Sequence, residues 1–176
     1  FVVVDTLSIS APQALLILAA HAMYEKGSSM DEVAAWVTDN RLRAHAWFTV
    51  GDLTYLRRGG RISATSAIMG TMLDIKPILT ITRAGKLEAH SKVQGRKKAL
   101  KALVDKTADN IGDPAGKNLI LLHGDVKDEA EMLKKQLLNR LPSLGEVRIQ
   151  MIGPVIGAHA GPGTLAICFI GNERQI

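Results

Sequence analysis

The chain has 176 residues and a formal net charge of +5, and 47% of its residues are hydrophobic. This length is enough for one or two small domains with a hydrophobic core. The single cysteine, Cys168, excludes an internal disulfide and fits a reducing compartment. No run of about 18 consecutive apolar residues predicts a membrane span. We therefore expect a globular cytoplasmic protein.

The first 46 residues predict a strand followed by two helices. Residues 1–4 have the apolar pattern of a buried strand. A helix is predicted over 10–26, because Pro12 lies in its first turn and Gly27 follows its end. A capping box then starts a second helix over 29–43. The order strand, helix, helix is typical of the end of an open α/β layer.

The rest of the chain predicts a second α/β unit. Asp125 or Asp128 is the predicted N-cap of its last long helix. The predicted elements are helices over 52–58, 64–73, 96–111 and up to 141, and strands over 78–82, 87–93, 119–122, 147–152 and 165–170. We expect the end of an open α/β N-terminal domain over 1–46, followed by an α/β domain over 47–176. The sheet of this second domain is predicted to be mixed and largely antiparallel.

A glycine- and proline-rich segment follows the strand predicted at 147–152. Residues 153–163 read GPVIGAHAGPG and contain one histidine, His159. Glycine lets other groups approach the backbone closely, and proline fixes φ and removes a donor. The pattern predicts a ligand loop in which His159 contacts a small anionic or carbonyl group. The alternative is a tight loop with a half-exposed histidine that binds nothing.

A second glycine-rich turn lies in residues 53–62, which read LTYLRRGGRI. Gly59 and Gly60 end the preceding helix, and Arg61 precedes the helix predicted at 64–73. An arginine near a helix N-terminus can meet an anion, because the free amides and the dipole favour negative charge there. The alternative is a solvated arginine at a helix end.

An aliphatic set follows Arg61 and predicts an apolar pocket. Methionine suits such a pocket because its side chain adapts to irregular apolar surfaces. The set comprises Ile62, Ile68, Met69, Met72, Leu73, Ile75 and Ile78. The alternative is that these side chains only fill the core.

The sequence offers little support for catalysis. The five histidines lack metal-ligand spacing, and the Walker, Rossmann and nucleophile-elbow patterns are absent. No aromatic residue interleaves with the basic run over 96–106, so a solvated helix face is favoured over a nucleic-acid surface. We expect no metal, no cofactor and no nucleic-acid partner. An anion-binding module for a phosphorylated metabolite or nucleic acid, using Arg61 and this basic helix, remains the alternative function.

Several of these motifs occur in an order and spacing that resemble one family. Residues 48–77 read FTVGDLTYLRRGGRISATSAIMGTMLDIKP, and they are followed by Lys92-Val93, by the run 96–99 and by Ile156-Gly157-Ala158-His159. Together they resemble the DegV family of bacterial fatty-acid-binding proteins. The resemblance implies a fatty acid held between two α/β domains. It also implies a non-catalytic subunit that presents the carboxylate to a fatty acid kinase, which makes acyl-phosphate for phospholipid synthesis.

The resemblance also implies roles for particular residues. His159 matches a family histidine that binds the carboxylate, and Arg61 is placed at the site rim and the encounter with the kinase. The ligand loop would include Gly157, Ala158, Gly161 and Gly163. Asp5-Thr6 resembles an Asp-Ser that follows an N-terminal region in the family. On this comparison the chain is expected to be the later part of a longer protein, with part of the site elsewhere.

Overall fold

The computed structural model describes residues 1–61 and 74–176 of the chain. The helices are α1 (Ser10–Glu25), α2 (Met30–Asn40), α3 (Thr54–Arg58), α4 (Arg96–Asn110), α5 (Lys127–Arg140) and α6 (Pro154–Ala160). The strands are β1 (Ala44–Thr49), β2 (Ile75–Ile81), β3 (Leu87–Gln94), β4 (Leu119–His123), β5 (Val147–Met151) and β6 (Leu165–Ile170). A short 3₁₀ turn at Arg41–Arg43 joins α2 to β1.

The strands form one six-stranded sheet in the order β3-β2-β1-β6-β4-β5. Among the described strands, only the β4–β5 pair is parallel, and the other four pairs are antiparallel. The prediction of a mixed, largely antiparallel α/β sheet is therefore confirmed. β1 and β6 lie at the centre and pair along six successive residues.

The two faces of the sheet carry separate hydrophobic clusters. On one face α4 and α5 pack over a cluster that contains Ile78, Leu103 and Phe169. On the other face α1 packs against β1 and β6, over a cluster that contains Phe48 and Cys168. Successive side chains of a strand point to opposite faces, so each central strand contributes to both clusters.

Two predictions about the first half of the chain need correction. Residues 1–4 form no strand and are mostly exposed, because no described strand pairs with them. The apolar helix α1 is not buried all round, since Ile17 and Leu18 are exposed. The domain boundary predicted at residue 46 would fall inside β1, which pairs with β6 over its whole length. The division of the chain at that point stays a prediction.

Two predictions about the second half also differ from the structure. Helix α5 has Val126 as its N-cap, with no side-chain cap, and Asp125 adopts a positive φ of 59° instead of capping. The segment predicted as a ligand loop contains a helix, α6. Pro154 suits the first helical position because the amide it lacks would have no partner there. Gly161, with φ of 76°, ends this helix.

Candidate functional site

An apolar cavity of about 260 Å³ lies on the face of the sheet that carries α1, α3 and α6. Its floor is formed by strand residues, and its walls come from the helices and their connecting turns. The floor residues are Ala46, Phe48, Ile81, Leu87, Leu122, Ala166 and Cys168. The walls are Ile9, Ser10, Pro12, Leu56, Arg61, Ile152, Val155, Ile156, His159, Ala160 and Thr164.

Small side chains at the centre of the sheet provide the room for this cavity. Ala46 on β1 lies opposite Cys168 on β6, and Ala166 lies between Phe48 and Leu122 on the two neighbouring strands. Burial raises the pKa of the Cys168 thiol, so this side chain is a neutral apolar part of the floor. The floor therefore suits a hydrocarbon surface.

Few polar side chains line the cavity. Within 1–61 and 74–176 they are Ser10, Arg61, His159 and Thr164. The hydroxyl of Thr164 is already used, because it donates to the carbonyl oxygens of Ala160 and Gly161 at 2.9 and 2.8 Å. Ser10, Arg61 and His159 remain as the groups that can meet the polar end of a ligand.

The structure brings together the two residues that the sequence analysis placed first. His159 lies in the last turn of α6 and Arg61 follows α3, and both side chains line the same cavity. His159 is half-buried, and its Nδ1 atom is buried with no hydrogen-bond partner in the described part of the chain. A buried polar atom without a partner is costly, so the imidazole carries an unsatisfied polar atom next to the cavity.

The imidazole of His159 packs directly against the backbone of Gly59, which has no side chain to keep the ring away. A Cβ atom added at Gly59 would overlap His159 Nδ1 and would lie 3.1 Å from Cε1 of the same ring. The α3 turn and the imidazole are therefore in direct van der Waals contact. Gly161 packs in a similar way against Tyr55 of α3, where an added Cβ would lie 2.6 Å from Cγ. Both glycines belong to the interface between α3 and α6.

Arg61 is linked to the same turn. Its guanidinium donates to the carbonyl oxygen of Gly59 at 2.7 Å, and its amide donates to the Leu56 carbonyl oxygen at 2.9 Å. The side chain is otherwise exposed. This arrangement leaves a positive charge at the cavity mouth. The helix predicted to follow it, at 64–73, lies outside the described residues.

The loop residues predicted to accompany His159 do not line the cavity. Gly157 and Ala158 lie within α6, and Ala158 is exposed. Gly161 and Gly163 follow the helix with positive φ values of 76° and 80°. Gly163 accepts a hydrogen bond from the Arg96 guanidinium at 2.7 Å. In this structure these four residues support the backbone around His159.

The aliphatic residues predicted to line an apolar pocket are only partly described by the structure, and the two described members do not line the cavity. Of its members, Ile62, Ile68, Met69, Met72 and Leu73 lie outside the described residues. Ile75 is half-buried on β2 and is not part of the cavity lining. Ile78 is fully buried in the cluster under α4, on the opposite face of the sheet, and so does not line the cavity either. Strand alternation explains this, because Leu79 and Ile81 face the cavity side instead.

Sequence reasoning missed most of the cavity lining. Ile81, Leu87 and Leu122 lie on strands that the sequence predicts, but the choice of face requires the sheet order. Ile152 and Val155 flank the start of α6, which the sequence reasoning took for a loop. The signal that could have predicted α6 is Pro154 directly after Gly153, because proline is favoured at the first position of a helix.

A sequence model of the DegV family, described as an uncharacterised protein family, matches residues 1–172. The chain belongs to the DegV family. A DegV domain-containing protein of Clostridium perfringens, CPE0026, is 39% identical over 173 residues, which cover 98% of this chain and 59% of that protein. This chain thus spans about three fifths of the length of the curated DegV relatives it matches.

Solved DegV structures share the fold. A DegV family protein of Thermus thermophilus, for which fatty acid binding is described, has a TM-score of 0.87 at 30% identity. That match covers 97% of this chain and 60% of the Thermus chain. The Fatty Acid Kinase (Fak) B3 protein of Streptococcus pneumoniae, loaded with linoleic acid, has a TM-score of 0.86 at 19% identity. This match covers 97% of this chain and 60% of the Streptococcus chain, and at this identity it shows the fold alone.

Two further properties bear on the site. Within the described part of the DegV chain, no group of three or more His, Cys, Asp or Glu side chains is arranged to hold a metal ion. None of the described helices combines the length and the apolar character needed to cross a bilayer.

Proposed function

We propose that this chain is part of a fatty-acid-binding protein, in which it encloses the acyl chain and holds the carboxylate at His159. The observation that carries the proposal is the cavity itself. Its floor is apolar throughout, and the free polar side chains, Arg61 and His159 among them, come from the turn after α3, from α6 and from the start of α1. An amphiphile with one anionic end matches this distribution.

The energetics favour a long acyl chain. Each buried methylene contributes about 0.8 kcal/mol, so a long chain supplies on the order of 10 kcal/mol before ordering costs. The carboxylate must keep hydrogen bonds when it leaves water, because a bare buried charge is expensive. The imidazole of His159 can donate one from a ring nitrogen that carries a hydrogen, and Arg61 adds a positive charge.

We further propose that the protein presents the carboxylate to a fatty acid kinase and does not itself catalyse phosphoryl transfer. Membership of the DegV family supports this, and one fold relative is described as a Fatty Acid Kinase B3 protein loaded with linoleic acid. Arg61 is exposed at the cavity mouth, where an approaching enzyme would meet it. The long-chain fatty acid and the kinase are therefore the proposed partners, and the cytoplasm is the proposed location.

Mass spectrometry of organic extracts from the purified full-length protein tests the ligand. We expect long-chain fatty acid in the extract, and saturable uptake of oleate by the delipidated protein. Methyl oleate is the matched control, because it keeps the chain and lacks the carboxylate. Absence of lipid together with no uptake of oleate or palmitate would refute the proposal. Binding of phosphorylated metabolites or nucleic acid with strong salt dependence would instead support the alternative anion-binding module.

A further inference from the structure

Arg96, the first residue of α4, connects α5 to the turn that follows α6. Its Nε atom donates to a carboxylate oxygen of Glu129 on α5 at 2.7 Å, and its Nη2 atom donates to the carbonyl oxygen of Gly163 at 2.7 Å. The third nitrogen, Nη1, is buried and has no partner among the described residues. The side chains of Arg96 and Glu129 are 23% and 30% exposed, so water screens this ion pair only in part. Arg96 does not line the cavity that contains His159, so a ligand bound there would not touch it.

The stability of α4 does not explain a basic residue at this position. The helix begins with Arg96, Lys97 and Lys98, and its first turn contains no acidic residue. The N-terminus of a helix carries a partial positive charge, so cations are unfavourable there. The partners of Arg96 lie on α5 and after α6, outside its own helix. Its contacts therefore indicate a role in holding these two segments together.

The turn between α6 and β6 is tied to its surroundings by short hydrogen bonds. The amide of Gly163 donates to the Gly124 carbonyl oxygen at 2.7 Å, and the amide of Gly124 donates to the Thr164 carbonyl oxygen at 2.8 Å. The hydroxyl of Thr164 donates back to the carbonyl oxygens of Ala160 and Gly161. These bonds connect the residue that Arg96 holds to the last turn of α6.

The position of this turn sets the position of the His159 side chain. His159 is the penultimate residue of α6, directly before Ala160. Its ring contacts Gly59, and Gly161 contacts the ring of Tyr55, so the end of α6 packs closely against α3. Closely packed groups leave little free space to absorb a displacement. A shift of the turn would therefore be passed on to the imidazole.

We propose that Arg96, together with Glu129, is a positioning residue for carboxylate recognition. It holds the Gly163 carbonyl oxygen and thereby keeps the imidazole of His159 in place beside the cavity. The planar guanidinium suits this role, because its fixed donors bond a carboxylate and a carbonyl oxygen at the same time. The ligand in this inference rests on the proposed function, whereas the link from Arg96 to His159 rests on the contacts alone. Loss of Arg96 disturbs recognition of the carboxylate and leaves the apolar contacts with the acyl chain intact.

Arg96→Gln in the full-length protein tests the proposal, and Arg148→Gln is the matched control. Arg148 forms an exposed ion pair with Glu146 at 2.8 Å on the edge strand β5. We expect Arg96→Gln to bind oleate about tenfold more weakly, because the hydrogen bond to the carboxylate is distorted, and to bind methyl oleate as the wild type does. Arg148→Gln should change neither affinity. Equal losses for oleate and methyl oleate would indicate a merely structural role and would overturn the proposal, as would an unchanged oleate affinity.

Two further variants test whether Arg96 acts through His159. Glu129→Gln keeps the shape of the side chain and removes its charge, so it remains usable if Arg96→Gln does not fold. It should lower the preference for oleate over methyl oleate, and an unchanged preference would contradict the proposal. In a His159→Ala background, Arg96→Gln should cause no further loss of oleate affinity, because the group that it positions is absent. An additional loss would refute the link.

NMR of the histidine ring signals in the ligand-free protein tests the link without any fatty acid. The His159 signal is assigned by its absence from His159→Ala. It should shift in Arg96→Gln and stay unchanged in Arg148→Gln. If the wild type does not distinguish oleate from methyl oleate, the proposed function fails, and a shifted ring signal would still support the positioning of His159 by Arg96. An unshifted signal would refute that positioning whether or not fatty acid binds.

Discussion

The contact between Gly59 and His159 allows a sharp test of the acyl site. Gly59 has φ of −75°, which any residue can adopt, so Gly59→Ala introduces no backbone strain. The added Cβ would nevertheless overlap Nδ1 of His159. Non-bonded carbon atoms prefer separations of about 3.5–4.0 Å, so the imidazole must move by about 1 Å. We expect such a shift to break the hydrogen bond proposed between the ring and the ligand carboxylate.

The magnitude follows from the bond that is lost. A hydrogen bond to a charged group contributes about 1.5–3 kcal/mol, so Gly59→Ala should weaken fatty acid binding by roughly ten- to a hundredfold. Stability should fall by about 1–3 kcal/mol, because the added methyl overpacks the interface between α3 and α6. Oleate titration by calorimetry, together with a thermal melt of the ligand-free protein, measures both quantities.

Gly60 is the matched control for this substitution. It has φ of 65°, and no atom lies within 4 Å of an added Cβ. Gly60→Ala should therefore cost about 1 kcal/mol of stability through backbone strain and leave fatty acid binding intact. In a His159→Ala background, Gly59→Ala should have no further effect on affinity. The reasoning fails if Gly59→Ala binds oleate as tightly as the wild type, or if Gly60→Ala loses the same affinity.

Three other predictions concern single side chains. His159→Ala should lower fatty acid affinity roughly ten- to a hundredfold and erase the preference for oleate over methyl oleate, with little change in the melting temperature of the ligand-free protein. Wild-type affinity would place the carboxylate elsewhere. Arg61→Ala should fold normally and bind oleate, yet give less acyl-phosphate in a coupled kinase assay; an unchanged rate would exclude its role at the kinase encounter. His45 has a folded pKa of about 4, below its ordinary value of 6.5, because burial disfavours the charged form. The unfolded chain therefore takes up a proton first, and stability should fall by about 3 kcal/mol as pH drops from 6.5 to 4. Denaturant titrations over this range should show that His45→Gln flattens the slope, and an equally steep slope in the variant would refute the assignment.

The sequence predicted those elements whose signals are local. The capping box of Ser29 and Glu32 is present in the structure, with both reciprocal hydrogen bonds, and it starts α2 where expected. The apolar run of β6 has the predicted bounds, Leu165–Ile170. Both signals are complete within a few residues, so the rest of the fold was not needed to interpret them.

The signals that failed depend on distant parts of the chain. Ile78 and Ile81 are equally apolar, and only their position in the sheet order shows which of them faces the cavity that contains His159. The small residues Ala46 and Ala166 carry no sequence signal for a cavity floor, because their role arises only when β1 and β6 pair. The sequence analysis selected His159 because its glycine-rich surroundings are unusual, although these form a helix end and not an open loop.

Strand β1 makes two cavities depend on a single register. Successive side chains of β1 line the apolar cavity that contains His159 and, on the opposite face of the sheet, a smaller cavity bordered by His45 and Trp47. Six successive pairs with β6 hold the strand in place. Deleting one residue within β1 would exchange the faces of the strand. His45 or Trp47 would then point into the apolar cavity, and Ala46 or Phe48 would point to the opposite face of the sheet. A substitution in β1 therefore affects only the cavity that its side chain lines, whereas an insertion or deletion would disturb both cavities.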